Sequence, residues 1–118
     1  MGILNLTVGL ACTVTALLTT GLAIPLLRGK VKRNGWYGVR LSESLESEEA
    51  WLRINRYGAK RLILWSLPVL VLGIIGFFVP FDERLWLSLV FGLAPLLVLG
   101  AVVETVRYAR RESQHEDA

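Results

Sequence analysis

The chain has 118 residues, of which 53% are hydrophobic, and it carries a formal net charge of +3. A soluble domain of this length could not hide three apolar runs that each approach the length of a membrane span, so the composition indicates a single membrane domain. The basic residues lack the motif residues that accompany them in nucleic-acid readers, and the single cysteine, Cys12, excludes an intramolecular disulfide and a cysteine-based zinc site.

Three apolar stretches predict an all-α, integral membrane three-helix bundle. They cover residues 3–27, 62–81 and 85–103, and each approaches the roughly 20 residues that cross a hydrocarbon core. The short polar turn at 82–84 forces the last two spans into an antiparallel hairpin. The first stretch carries a face of small residues along which another helix can pack closely, made of Gly9, Thr13, Ala16, Thr20 and Ala23.

Lysines and arginines near the span ends predict the orientation. Segment 28–61 holds nine of them, the tail 104–118 holds three, and the turn between the last two spans holds only Arg84. We therefore expect a multi-pass protein of the bacterial plasma membrane with its N-terminus outside and its C-terminus in the cytoplasm. Segment 28–61 then forms a cytoplasmic loop, and the tail continues as helix through Arg111.

The first half of the cytoplasmic loop is predicted to turn just below the membrane. Asn34-Gly35 is a strong turn signal, because both residue types tolerate a positive φ. A tight turn here places Trp36 and Tyr37 at the depth of the lipid headgroups, where amphipathic aromatic rings are favoured. Anchoring at the interface is therefore one interpretation of these two side chains.

The second half of the loop is predicted to be an amphipathic interfacial helix that leads into the second span. Ser47 is a good helix N-cap, and two glutamates follow it in the first turn. A period near 3.6 residues then places Trp51 and Asn55 on an apolar face and Arg56 on an opposite, basic face. The basic face suits an anionic lipid surface, whereas Asn55 needs a hydrogen-bond partner among apolar neighbours.

One ordered pattern of unlike residues runs through this segment. Asn34 is followed by Gly38-Val39-Arg40, by a serine-rich acidic link, and then by Trp51 and Asn55-Arg56 before a spanning helix. In this pattern residues 24–61 resemble the SdpI family of bacterial membrane proteins, and the flanking spans fit by topology. The resemblance implies immunity against a secreted toxic peptide and signalling by holding a transcriptional repressor at the membrane. The sequence does not show the additional N-terminal spans of the longer family member. After Arg40 it has Leu41-Ser42-Glu43, where members of the family often carry a threonine-proline pair.

The candidate binding site follows from the same segment. An arginine fork can bind phosphate or carboxylate, an asparagine can cap a turn, and a tryptophan can anchor a helix at the interface. A polar knot that locks the loop against the bundle explains the residues without a ligand, so both interpretations stay open. The candidate residues for binding lipid, a peptide or a protein partner are Asn34, Trp36, Tyr37, Arg40, Trp51, Asn55 and Arg56.

The leading functional hypothesis is a small SdpI-type membrane protein that gives immunity against a membrane-active peptide toxin or signals by partner binding at its loop. The alternative is a structural or accessory subunit of a larger membrane assembly with an interfacial lipid-binding loop. We expect no enzyme activity and no cofactor, because no nucleophile, base and orienting group can be placed together. Small-residue faces also suit a homo-oligomer.

Two further polar residues lie near the C-terminal end of the chain. Glu104 lies at the cytoplasmic edge of the third span, and we expect it to form an interfacial ion pair with Arg107, one turn further on. His115, the only histidine, lies in the polar tail, and we do not expect it to ligate a metal.

Overall fold

The computed structural model describes residues 2–117, with side chains described through residue 112. Its helices are α1 (Ile3–Leu27), α2 (Glu48–Gly76), α3 (Leu85–Gly92) and α4 (Leu99–Asp117), and a short 3-10 segment, Ala94–Val98, joins the last two. Three stretches are long and apolar enough to cross a membrane, and they are Ile3–Leu27, Glu48–Gly76 and Leu85–Glu112. The predicted all-α, three-span architecture is confirmed.

A glycine-based cap ends α1 and begins the loop. Gly29 has a φ of +69°, in the left-handed region that favours glycine. Its N–H donates to the carbonyl of Leu26 at 3.2 Å, and the N–H of Lys30 donates to the carbonyl of Pro25 at 3.0 Å. This pair of bonds is a Schellman motif, which satisfies helix carbonyls that would otherwise lack partners. The chain therefore leaves the first span in a defined direction.

Small residues bring α1 and α2 into close contact. A Cβ added at Gly73 of α2 would lie 2.8 Å from the Cβ of Cys12, so the two backbones approach too closely for any larger residue there. Cys12 and Ala16 are fully covered by protein. The hydroxyl groups of Thr20 and Ser66 hydrogen-bond across the same interface at 2.9 Å. The small-residue face predicted for the first span is thus occupied by α2 of the same chain.

Helix α2 runs without a break from the loop to the far end of the bundle. Ser47 caps it as predicted, because its Oγ accepts the N–H of Ala50 at 3.0 Å. The predicted interfacial helix and the predicted second span together form this single 29-residue helix. Once a helix has begun, each further residue adds a backbone hydrogen bond at little cost, and no residue between Arg56 and Leu62 interrupts that ladder.

Asn5 fixes the far end of α2. Its side-chain amide donates to the carbonyl of Gly76, the last residue of the helix, at 2.9 Å, and to the carbonyl of Val79, in the turn that follows, at 2.5 Å. The carbonyls at a helix end lack helical partners. Phe81 is then buried in the turn and packs edge-on against Phe91, with ring centroids 5.5 Å apart. The helix therefore ends at Gly76, whereas the sequence interpretation carried the second span to residue 81.

The third span changes its helical geometry near its middle. Pro95 lies within the 3-10 segment and has no N–H to donate to the carbonyl of Phe91, four residues earlier. The buried thiol of Cys12 donates to that carbonyl instead, at 3.4 Å. Beyond the 3-10 segment, α4 continues to Asp117, further than the predicted end of the tail helix at Arg111.

The loop and the C-terminal helix share one end of the bundle. Arg53, near the start of α2, pairs with Glu112 of α4 at 3.8 Å. At the opposite end, a Cβ on Gly2 would meet the carboxylate of Asp82 at 2.8 Å. This arrangement agrees with a three-span topology in which segment 28–61 and the tail lie on one side of the membrane.

Candidate functional site

Two buried side chains of α2 hold the loop. Trp51 is 0% exposed, and its indole N–H donates to the carbonyl of Val31 at 2.8 Å. Asn55 is 1% exposed; its Oδ1 accepts the N–H of Val39 at 2.6 Å, and its amide donates to the carbonyl of Trp51 at 3.0 Å. We call Trp51, Asn55 and these two loop positions the loop lock. It pairs polar groups that would be costly to bury alone.

Gly38 allows the loop to approach the lock. Its φ is +110°, which residues with a side chain rarely adopt. A Cβ there would lie 2.8 Å from Oδ1 of Asn55 and 3.0 Å from the ring of Trp51. The glycine that precedes Val39 and Arg40 is therefore required both by its backbone conformation and by the close approach of α2.

A turn is present at Asn34 as predicted, but neither Asn34 nor Gly35 has the positive φ on which the prediction was based, and the turn is built by the side chain of Asn34 instead. The Oδ1 atom accepts the N–H groups of Trp36 at 2.9 Å and Tyr37 at 2.7 Å, and the amide donates to the carbonyl of Lys32 at 2.7 Å. This is the Asx-turn geometry that favours asparagine at such positions. Asn34 thus shapes the loop through its own backbone contacts.

Ser44 is a residue of the site that sequence reasoning missed. It is 0% exposed; its Oγ accepts the N–H of Leu41 at 2.8 Å and lies 2.7 Å from the carbonyl of Val39, to which its hydroxyl can donate. It closes the second half of the loop as Asn34 closes the first. The only sequence signal was the serine-rich composition of the link, which does not say which serine turns inward.

The remaining loop candidates divide between the interior and the surface. Tyr37 ties the loop to α1, because its hydroxyl donates to the carbonyl of Leu22 at 2.5 Å. Trp36 is 83% exposed, and Arg40 is also exposed, with its guanidinium donating to the carbonyl of Gly35. We call Trp36 and Arg40 the exposed edge of the loop. Among the predicted site residues of the loop, these two are the ones whose side chains are exposed to another molecule.

Glu104 has a different partner from the one that the sequence indicated. Its carboxylate pairs with Arg61 of α2 at 2.5 Å and accepts the indole N–H of Trp65, whereas the sequence predicted an ion pair with Arg107. The ring of Trp65 packs on Gly100, where a Cβ would lie 2.8 Å away. The close contact of α2 with α4 at this glycine brings cross-helix partners nearer than a neighbour on the same helix.

Two grooves border the locked loop, and a third lies on another face of α2. Two apolar grooves, of about 280 and 310 Å³, flank Gly38 and Val39 on either side. A third groove of about 460 Å³ lies between α2 and α4, and we call it the basic groove. It is lined by Glu49, Leu52, Arg53, Arg56, Tyr57, Lys60 and Tyr108. Arg56, the seventh predicted site residue, thus lies apart from the exposed edge of the loop.

No metal centre is evident in the part of the chain that the structure describes, where no three His, Cys, Asp or Glu residues are grouped to hold an ion. The side chain of His115, which we did not expect to bind metal, lies outside the described side chains.

Comparison with known proteins identifies the family. The model of the SdpI/YfhL protein family matches residues 30–104, a stretch that contains all seven predicted site residues and the loop lock. No curated protein and no solved structure matches the chain. The match extends the predicted resemblance from the loop through the second and third spans, over more than half of the sequence. The chain belongs to the SdpI/YfhL protein family.

Proposed function

We propose that this protein recognises a peptide or protein partner at the exposed edge of its loop, in a non-catalytic role of immunity against a membrane-active peptide toxin or of signalling. The observation that carries the proposal is Trp36, which is 83% exposed on a loop whose backbone is fixed. Exposed tryptophans and arginines are enriched among the residues that dominate binding energy. A loop that is already ordered loses little further entropy when it binds.

Arg40 supports the same assignment by its chemistry. Its guanidinium uses one donor on the carbonyl of Gly35, and a guanidinium carries five N–H donors in all. The remaining donors suit a carboxylate, such as an acidic side chain or the C-terminus of a peptide. Together with Trp36, the exposed edge therefore offers one apolar and one cationic contact to a partner. The excess of lysine and arginine in segment 28–61 supports a cytoplasmic position for this edge in the proposal.

The first test is crosslinking at the exposed edge. Trp36 and Arg40 are each replaced by a photoreactive residue, and the captured species in native membranes are identified by mass spectrometry. Glu46, an exposed residue in the same loop, is the control position. Capture of one peptide or protein at Trp36 and Arg40 but not at Glu46 supports the proposal. Capture of lipid alone at all three positions overturns it.

A second experiment separates immunity from signalling. A deletion strain is challenged with a panel of membrane-active peptides and complemented with the wild-type protein or with Trp36→Ala. Increased killing that only the wild-type protein reverses supports immunity. Unchanged sensitivity across the panel, with a captured cytoplasmic protein, supports signalling. The alternative of an accessory subunit predicts stable co-purification of a membrane assembly in mild detergent and no capture specific to Trp36.

A further inference from the structure

The basic groove lies on the face of α2 that is turned away from the loop lock. Arg53, Arg56 and Lys60 recur at three- and four-residue steps along this face and line the groove together. Trp51 and Asn55 lie on the other side of the same helix turns. The groove is therefore separate from the exposed edge of the loop, and its role does not depend on the function proposed above.

Positive charge exceeds negative charge in the groove. Arg53 is compensated by Glu112 at 3.8 Å, and Glu49 contributes one carboxylate to the lining. Arg56 and Lys60 are both exposed, and among the side chains described, no carboxylate lies within ion-pair distance of either. Two neighbouring cations thus face the groove without an anion of the chain to neutralise them.

Two tyrosines give the groove a defined wall. The rings of Tyr57 and Tyr108 are stacked across the interface of α2 and α4, with centroids 4.0 Å apart and planes 8° from parallel. This contact sets the separation of the two helices at the groove. Phenol groups can also donate hydrogen bonds to an anion. The groove therefore combines a fixed shape with cationic and hydroxyl donors.

The depth of the groove matches the surface of the bilayer. The guanidinium of Arg56 lies against Gly29, where α1 ends, since a Cβ on that glycine would be 2.6 Å from Nη2. The apolar part of α2 begins at Leu62, two residues after Lys60. The cations thus stand where two spans leave the hydrocarbon, which is the level of lipid phosphates.

The geometry points to a phosphate site in the basic groove, in which Arg56 and Lys60 bind a phosphate-bearing anion beside the tyrosine pair. A guanidinium fork binds two phosphate oxygens at once, and an ammonium adds a point charge. The phosphate belongs either to the headgroup of an anionic lipid or to free phosphate, and the two sources share this chemistry.

The test compares lipid binding by the full chain and by two charge-matched variants. The protein is purified in neutral detergent, and binding of phosphatidylglycerol and of phosphatidylcholine is measured by native mass spectrometry. Arg56→Gln/Lys60→Gln removes two cations of the groove. Arg107→Gln/Arg110→Gln removes two exposed cations of α4 that do not line it. At about fivefold per cation, the groove variant binds phosphatidylglycerol about 25-fold more weakly than the wild type, and the control variant binds it as the wild type does.

Competition with inorganic phosphate distinguishes the two sources. Displacement of phosphatidylglycerol by excess inorganic phosphate identifies free phosphate as a ligand, and retention of the lipid identifies the lipid headgroup. Lys60→Gln alone is an additional groove variant, because Arg56 packs on Gly29 and its replacement could disturb the end of α1. We expect Lys60→Gln to bind phosphatidylglycerol about fivefold more weakly than the wild type. Equal losses of phosphatidylglycerol affinity in the groove and control variants would overturn the assignment, and so would no loss in either variant. It would also be overturned if the wild type showed no preference for phosphatidylglycerol and no binding of inorganic phosphate.

Discussion

Replacing Gly38 with alanine should release the loop from α2 while the three-span bundle stays folded. At a positive φ an alanine costs about 1 to 2 kcal/mol relative to glycine. The added Cβ would lie 2.8 Å from Oδ1 of Asn55 and 3.0 Å from the ring of Trp51, and such overpacking costs about 1 to 3 kcal/mol. The sum, about 2 to 5 kcal/mol, exceeds the net contribution of about 1 kcal/mol of the hydrogen bond that the N–H of Val39 donates to Asn55.

Hydrogen exchange of the full chain in detergent measures this release. If the variant lowers the free energy of loop opening by at least about 2 kcal/mol, exchange at the Val39 amide becomes at least about 30-fold faster, because about 1.4 kcal/mol corresponds to a factor of ten. Gly35→Ala is the matched control, since it lies in the same loop, has no positive φ and has nothing within 4 Å of an added Cβ. Equal exchange in the Gly38→Ala and Gly35→Ala variants would refute the reasoning, and so would an equal rise throughout residues 62–76.

Three further predictions concern the bundle and its orientation. Glu104→Gln lowers the free energy of unfolding by about 1 to 3 kcal/mol in thermal or denaturant unfolding, because it removes the pair with α2; an equal loss in Arg107→Gln would contradict the cross-helix pairing. Cys12, at 0% exposure, reacts with a maleimide only after denaturation in SDS, and rapid labelling of the folded protein would show that α1 and α2 separate. In a chain whose native cysteine is replaced by alanine, we expect an impermeant maleimide to label Glu83→Cys in intact cells and Glu43→Cys only after permeabilisation. The reverse pattern would show that the protein has the opposite orientation in the membrane.

The features predicted correctly from the sequence are those encoded by neighbouring residues. The number of spans follows from the length of apolar runs, the start of α2 from the capping serine, Ser47, and the loop turn from Asn34. In each case the physical cause acts within a few residues of chain. Membership of the SdpI/YfhL family likewise followed from an ordered local pattern.

The features that the sequence did not predict depend on contacts between distant segments. Glu104 pairs across helices because Gly100 lets Trp65 approach, and Ser44 is buried because the loop folds back on itself. The division of the candidate residues between the lock and the exposed edge has the same origin, because the helical period places Asn55 on a face but does not say that loop backbone covers that face.

The continuity of α2 has a mechanical consequence. Its 29 residues extend about 44 Å, whereas the hydrocarbon core is about 30 Å thick, so the first turns of the helix project beyond the hydrocarbon core and carry the loop with them. A sideways force on the loop therefore acts as a torque about the point where α2 enters the lipid, since the helix is unbroken between the loop and that point. At the other end of α2, Asn5 of α1 hydrogen-bonds to the last residue of the helix, Gly76. Between these two ends α2 contains Pro68, which has no N–H to donate within the helix, so we expect a force on the loop to bend α2 there rather than pass unchanged to the opposite leaflet.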